Sequence, residues 1–287
     1  MIFRYFKERY IVNKCFVYFK FLQQFFLLRL FKIKCYLFTR INYKNKKHFI
    51  NEYKSQNNKV CHIIGSGYSL DFSKDKIKSN DFVIGFNFAA LEKLNFDLYF
   101  FEFAGSNCRD ISIKQREVLN DLVLNKKRHL YFKNILLPRN DLDFLFNLYG
   151  KDINIVEDII LKNRSILTFN IIYKMMFNRK SDVFRQYNSS LFFCIDVAKT
   201  IGFKKIIFHG VDFKGPYFFD KFKTENHLDI NYYKKRDEHE NHIINNSPFG
   251  LEGYLKYIID NMKNEMSFYC ATDKTPLNKY VKNFYGN

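Results

Sequence analysis

Apolar residues fall along the chain in short runs that each end on a polar group. Lys59-Val-Cys-His-Ile-Ile64 closes at Gly65, Phe82-Val-Ile-Gly-Phe86 at Asn87, Leu98-Tyr-Phe-Phe101 at Glu102, and Lys205-Ile-Ile-Phe208 at His209-Gly-Val-Asp212. Runs this short and this apolar predict buried strands. His129-Leu-Tyr-Phe132 and Met266-Ser-Phe-Tyr-Cys270 predict two more. Helical spacing predicts helices over 111–125, 189–201 and 251–261, the second with Leu191, Cys194, Ile195, Ala198 and Ile201 on one face. Residues 140–185 read as mostly helical, and 214–247 as a long polar segment rich in Tyr, Lys and His. Strands alternating with helices predict an α/β fold: a mostly parallel, Rossmann-like sheet with helices on both faces.

Residues 1–48 show another pattern. Phe16, Phe19, Leu22, Phe25, Phe26, Leu30 and Phe31 recur at roughly helical spacing, with Lys14, Lys20, Arg29, Lys32 and Lys34 among them. This predicts a basic helical arm that lies in a membrane interface, or packs on the domain or on a second subunit. The polar stretch Asn42 to His48 separates the arm from the rest of the chain. The expected organisation is an arm over 1–50 and one domain over 51–287.

Charge sharpens that division. The chain of 287 residues has 47 Lys+Arg against 29 Asp+Glu, a net +18. Residues 1–50 hold 12 of the basic residues and one acid, Glu8, so +11 sits on the arm and +7 on the rest. Of the basic residues 35 are Lys, and Phe, Ile, Asn and Tyr are abundant, as an AT-rich coding sequence produces. The charge therefore points to a membrane surface at the arm and not to nucleic acid. Six scattered cysteines form no CxxC pair, so a disulfide framework is not expected and a reducing cytoplasm fits. Basic residues interrupt the apolar N-terminus throughout, which argues against a signal peptide and a membrane-spanning helix.

In an open parallel sheet, ligands bind beyond the carboxyl ends of the strands. Ser66, Asn87, Glu102, Ser189, Ser190 and Asp212 close apolar runs or open helices and are the first candidates. Gly65-Ser-Gly67 lets backbone N–H groups approach an anion. It lacks the third glycine of the dinucleotide fingerprint and the ending of a Walker loop, so alone it is also a plain turn. Asn87 can both donate and accept, which suits a base or sugar. Ser189-Ser190 is an N-cap signature whose free N–H groups can also hold phosphate. Asp237-Glu-His-Glu-Asn-His242 sets two histidines among acids without the spacing of a zinc protease; it reads as a solvated charge run or as a general base. Asp141-Leu-Asp143 matches a metal-holding Asp-x-Asp pair, but reads better as acids opening a helix.

Together these segments resemble the bacterial lipooligosaccharide sialyltransferases, glycosyltransferase family 42, over about residues 58–275. Gly65-Ser-Gly-Tyr-Ser-Leu70 is similar to the family's Gly-Asn-Gly-Pro-Ser-Leu loop. Asn87 stands where a donor-contacting Asn ends its second strand. Ser189-Ser190, preceded by Arg185, stands for its Ser-Gly pair and Arg. Ile201-Gly-Phe-Lys-Lys-Ile-Ile-Phe-His-Gly-Val-Asp-Phe213 resembles its Leu-Gly-Tyr-Lys-Glu-Ile-Tyr-Leu-Ser-Gly-Ile-Asp-Phe, and Tyr217-Phe-Phe-Asp220 its Tyr-Ala-Phe-Asp.

The resemblance implies a GT-A-like variant fold with a lid at about 214–247. It implies inverting, metal-independent transfer of sialic acid from CMP-sialic acid to a galactoside of a cell-surface glycan, with no cofactor. Gly65, Ser66, Gly67, Asn87, Glu102, Arg185, Ser189, Ser190 and Asp212 would hold the donor. Tyr217, with Lys214 in place of a second tyrosine, would stabilise the leaving phosphate. His242 would be the base, with His239 as the alternative. The expected location is the inner face of the bacterial cytoplasmic membrane. Glu102 departs from the family, which has Asn there, and a carboxylate suits an anionic donor only if it contacts a hydroxyl. Two rivals stand beside this reading: an enzyme of another nucleotide donor, including a pyrophosphokinase-like protein, and a non-catalytic basic membrane-binding module.

Overall fold

The strand Cys61–Ile64, all four residues buried, lies in the middle of the sheet. A computed structural model describes residues 2–38, 42–56, 59–92, 94–102, 130–133, 154–161, 169–177, 181–187, 189–213 and 250–286. Over these the elements run α1 (Ile2–Phe38), β1 (Asn42–Lys44), α2 (Lys46–Tyr53), β2 (Cys61–Ile64), β3 (Phe82–Phe86), β4 (Leu98–Phe101), β5 (Leu130–Phe132), β6 (Asn154–Val156), β7 (Asp158–Ile160), α3 (Phe169–Met176), β8 (Phe184–Gln186), α4 (Ser190–Ile201), β9 (Lys205–His209), α5 (Gly250–Met262), β10 (Ser267–Cys270) and β11 (Lys282–Asn283), with short 3₁₀ turns between.

Nine of the described strands form one sheet in the order β1-β6-β5-β4-β3-β2-β9-β10-β11. Every described pair in it is parallel. Parallel strands are buried on both faces, which is why the central ones read as continuous apolar runs. All six strands expected from those runs are present as β2, β3, β4, β5, β9 and β10. β2 is flanked by β3 on one side and β9 on the other. The chain thus leaves β2 in one direction and returns on its other side, which makes the carboxyl ends of β2 and β9 a topological switch point, where such sheets bind ligands.

α4 begins at Ser189, whose hydroxyl accepts from the Leu191 N–H at 3.2 Å, as its N-cap signature predicts. It ends at Gly202 in the left-handed region, φ 108°. Nearly all of its residues are buried, so it is a core helix. α5 buries Tyr254, Leu255, Ile258, Ile259 and Met262 in the same core.

The region 140–185 differs from its helical expectation. Its described parts hold β6, β7 and β8, and one helix, α3. Asn154-Ile-Val-Glu-Asp-Ile-Ile160 is rich in β-branched residues, which favour strands. It makes two strands because the chain changes sheets at Glu157: the Glu157 N–H donates to the Lys44 carbonyl, and its own carbonyl accepts from Phe184 N–H of β8. β7 and β8 then form a separate parallel pair. The polar stretch after the arm also holds an unexpected element, β1, at the sheet edge beside β6. Lys46 of α2 comes next and enters the core, where it meets Asp196 of α4 at 2.7 Å.

The arm is helical, as expected, and longer than its apolar pattern suggested. Val17 and Leu28 are buried, and Phe21 packs against the core. The opposite face carries Val12, Phe16, Phe19, Leu22, Phe26 and Leu30 out to solvent. Among the described residues no helix is long and apolar enough to cross a membrane. The expected helix 111–125, the segment 214–247 and Asp141-x-Asp143 lie outside the described residues.

Candidate functional site

The ends of β2 and β9 interlock. The Gly65 N–H donates to the His209 carbonyl at 2.8 Å, and the Gly67 N–H to the Gly210 carbonyl at 2.8 Å. A Cβ on Gly65 would lie 2.3 Å from the Gly210 oxygen, and one on Gly67 would lie 2.4 Å from Asp212 Oδ2. The two glycines are therefore required by loop-against-loop packing. Their N–H groups, which the sequence pattern aims at an anion, are bonded to backbone carbonyls of the β9 loop. Ser66 stands half-buried between them.

Asp212 is buried and clamps this junction. Its Oδ2 accepts from Ser69 N–H at 2.8 Å. Burial pushes its carboxyl above the ordinary range, and the bond to Ser69 opposes that. The next residue, Phe213, holds φ 61°, a left-handed conformation that is unfavourable for a bulky side chain. Such strain collects at functional sites.

The second half of the site is built by β3, β4, β5 and the start of α4. Asn87 also turns left-handed, φ 52°, which asparagine tolerates. Tyr99 of β4 fixes that corner: its hydroxyl donates to the Asn87 carbonyl and accepts from Ala90 N–H at 3.0 Å. Gly85 leaves room for it, because a Cβ there would meet the Phe96 and Tyr99 rings. Glu102 comes directly after β4, and Lys133 comes directly after β5. The Ser190 hydroxyl lies 3.0 Å from Glu102 Oε2 and 3.4 Å from Asn87 Oδ1. Lys133 Nζ donates to Glu102 Oε2 and to Ser190 Oγ, each at 2.9 Å.

The structure thus brings Asn87, Glu102 and Ser190 into one hydrogen-bonded group, with Ser189 capping the helix behind it. Arg185 is placed elsewhere. It lies on β8, donates to the Met175 carbonyl at 3.0 Å and stacks over Phe21 of α1, 4.5 Å from the ring centre. Burial lowers its pKa, while Asp196 raises it. Lys214, Tyr217, His239 and His242 lie outside the described residues. Among the described residues no cluster of three or more His, Cys, Asp or Glu could hold a metal ion.

Sequence reasoning missed Lys133, although the signal was there. It is the first polar residue after an apolar strand, as Asn87 and Glu102 are. It also missed His62 and His209, buried side by side on β2 and β9. His62 sits inside one apolar run and His209 closes another, and only the strand register makes them neighbours.

No protein family matches the chain, and no curated protein matches it in sequence. Solved structures do. The sialyltransferase CstII from Campylobacter jejuni, in complex with cytidine-5'-monophosphate, is 16% identical over 78% of this chain and 84% of its own, with a TM-score of 0.45. The same enzyme with CMP-3FNeuAc is 17% identical over 78% and 86%, with a TM-score of 0.45. The monofunctional alpha-2,3-sialyltransferase Cst-I from Campylobacter jejuni is 14% identical over 80% and 86%, with a TM-score of 0.44. At this identity and superposition the likeness carries no argument about activity, which has to come from the site.

Proposed function

We propose that this chain is an inverting glycosyltransferase that moves sialic acid from CMP-sialic acid to a galactoside-terminated glycan without a metal. One observation carries the reading. Asn87 and Glu102 stand 103 and 88 positions from Ser190, and the three meet in one hydrogen-bonded group at the carboxyl edge of a parallel sheet. Asn87 and the Ser189-Ser190 pair stand where the sequence resembles the donor site of the sialyltransferase family, and Glu102 occupies a donor-site position at which the family has Asn.

The chemistry needs an acceptor nucleophile, charge relief on the departing phosphate, and exclusion of water. His242, or His239 in its place, takes the proton of the acceptor hydroxyl. The hydroxyl oxygen then forms a bond to the anomeric carbon from the face opposite the nucleotide. The bond from that carbon to the CMP phosphate oxygen breaks, and CMP leaves with the electron pair. Tyr217 donates a hydrogen bond to the released phosphate, and Lys214 offsets its charge. Asn87, Ser189, Ser190 and Ser66 hold the nucleotide. Asp212, Gly65 and Gly67 hold the loops around it.

The arm completes the proposal. Its outward apolar face and the +11 on residues 1–50 suit peripheral binding to an anionic membrane on its cytoplasmic side, where a lipid-linked acceptor would be presented.

The test is purified protein with CMP-sialic acid and a lactoside, in EDTA. Sialyl-lactoside and CMP should appear together. His242→Ala and His239→Ala, compared one at a time, should identify the base by the loss of turnover. Absence of both transfer and CMP release would overturn the reading.

A further inference from the structure

Lys133 is fully buried, and its ammonium is spent on its neighbours. It donates to Glu102 and Ser190 at 2.9 Å and lies 4.8 Å from the centre of the Phe193 ring. It has no exposed surface, whereas the Glu102 side chain is 31% exposed. The pair is asymmetric: the positive end is sealed in the protein, and the negative end is partly exposed at the carboxyl edge of the sheet. A buried ammonium needs such a partner. The partner gains as much from the pairing. An unpaired carboxylate at this edge would repel any phosphate-bearing ligand.

We propose that Lys133 is a positioning residue that sets the charge of this pocket, cancelling Glu102 so that a nucleoside phosphate can bind beside a carboxylate used to accept a ligand hydroxyl. The inference rests on the reading of the pocket as a nucleotide site and adds to it how the site tolerates a glutamate. Lys133 acts through its neighbours and touches no ligand. Its hydrogen bond to Ser190 Oγ turns the serine proton towards Glu102 or Asn87, so the same contact orients the two groups that face the nucleotide. The carboxylate is then matched to hydroxyl donors, as ribose and sugar rings offer.

Calorimetry with CMP and with cytidine tests this, because the two differ in the phosphate charge. Lys133→Met should weaken CMP by about tenfold or more, and cytidine by less than about threefold. The double variant Lys133→Met/Glu102→Gln removes both charges while Gln keeps an acceptor oxygen, and should recover most of the CMP affinity lost in the single variant, short of the parent by the lost Ser190 contact. This rescue keeps the test decisive if the single variant folds poorly. Equal losses for both ligands without rescue, or undiminished CMP binding in Lys133→Met, would overturn the role given to Lys133. Unaltered protein that binds neither ligand would overturn the nucleotide site itself, and this inference with it.

Discussion

His62 Nδ1 and His209 Nε2 lie 2.8 Å apart on the neighbouring strands β2 and β9, both rings buried. His62 Nε2 is 3.1 Å from Asp81, and His209 Nδ1 is 3.0 Å from the Ser73 hydroxyl. By donor counting, two neutral rings can pass hydrogen bonds from His209 through His62 to Asp81, with Ser73, whose hydroxyl also reaches the Ser69 carbonyl at 3.2 Å, at the other end.

That pair should make stability depend on pH. Burial lowers both pKa values below the ordinary 6.5; the other ring and Lys76 lower His209 further, while Asp81 pulls His62 back up. The unfolded chain takes up protons near pH 6.5 and the folded pair resists. The contribution is therefore complete above that pH and is lost as pH falls below it. Stability should fall from pH 7 to pH 5 by up to about 1.4 kcal/mol per pH unit for each ring, and the melting temperature should drop with it. His209→Gln should flatten this slope; an unchanged slope would assign it to other groups.

Gly65→Ala should cost more than Gly67→Ala. The first sets a methyl 2.3 Å from the Gly210 carbonyl oxygen, which is backbone; the second sets it 2.4 Å from Asp212 Oδ2, which rotation can move, and 2.9 Å from Asp212 Cβ, which needs only a small shift. Losses of about 1–3 kcal/mol are expected in urea unfolding. Gly67→Ala should also weaken CMP, since displacing Asp212 releases Ser69. A reversed order of stability would contradict the interlocked-loop description.

Lys46 and Asp196 form an ion pair with both side chains almost fully buried. Burial pushes the Asp196 carboxyl up, and Lys46, Lys199 and Arg185 hold it down. Lys46→Met should therefore destabilise by about 3–5 kcal/mol, the cost of stranding a buried charge. Lys46→Met/Asp196→Leu should recover much of that loss. An additive double variant would show that the two residues act independently.

The outward stripe of α1 should carry membrane affinity. Phe19 and Phe26 are 64% and 62% exposed on the face opposite Val17. Phe19→Ser/Phe26→Ser should reduce flotation with anionic vesicles by about tenfold or more, with the melting temperature unchanged. Flotation equal to that of the parent would move the contact elsewhere.

The central strands were legible because burial on both faces writes an unbroken apolar run. β1 and β11 were not. They are two or three residues long and lie at the sheet edges, where polar residues such as Asn42 and Lys282 are tolerated. β6 and β7 were hidden because the acids Glu157-Asp158 stand between two short β-branched pairs at the point where the chain changes sheet. In the site, Asn87 and Glu102 announced themselves by ending strands, and Ser189 by opening a helix. Lys133 obeyed the same rule but was masked by a short strand and a lysine-rich chain. The interlocked use of Gly65 and Gly67 needed the register of β2 with β9, which no local pattern contains.

The position of β2 also constrains how the protein is made. One neighbour, β3, comes soon after it in the chain, but the other is β9, whose His209 is 147 positions beyond His62. A ribosome must deliver most of the polypeptide before the middle strand acquires its second partner. Until then the edge of β2 stays open to any other strand, and the apolar stripe of α1 has already emerged. Slow translation or N-terminal fragments should therefore favour aggregation, and holding α1 at a membrane during synthesis would remove one of the two sticky surfaces.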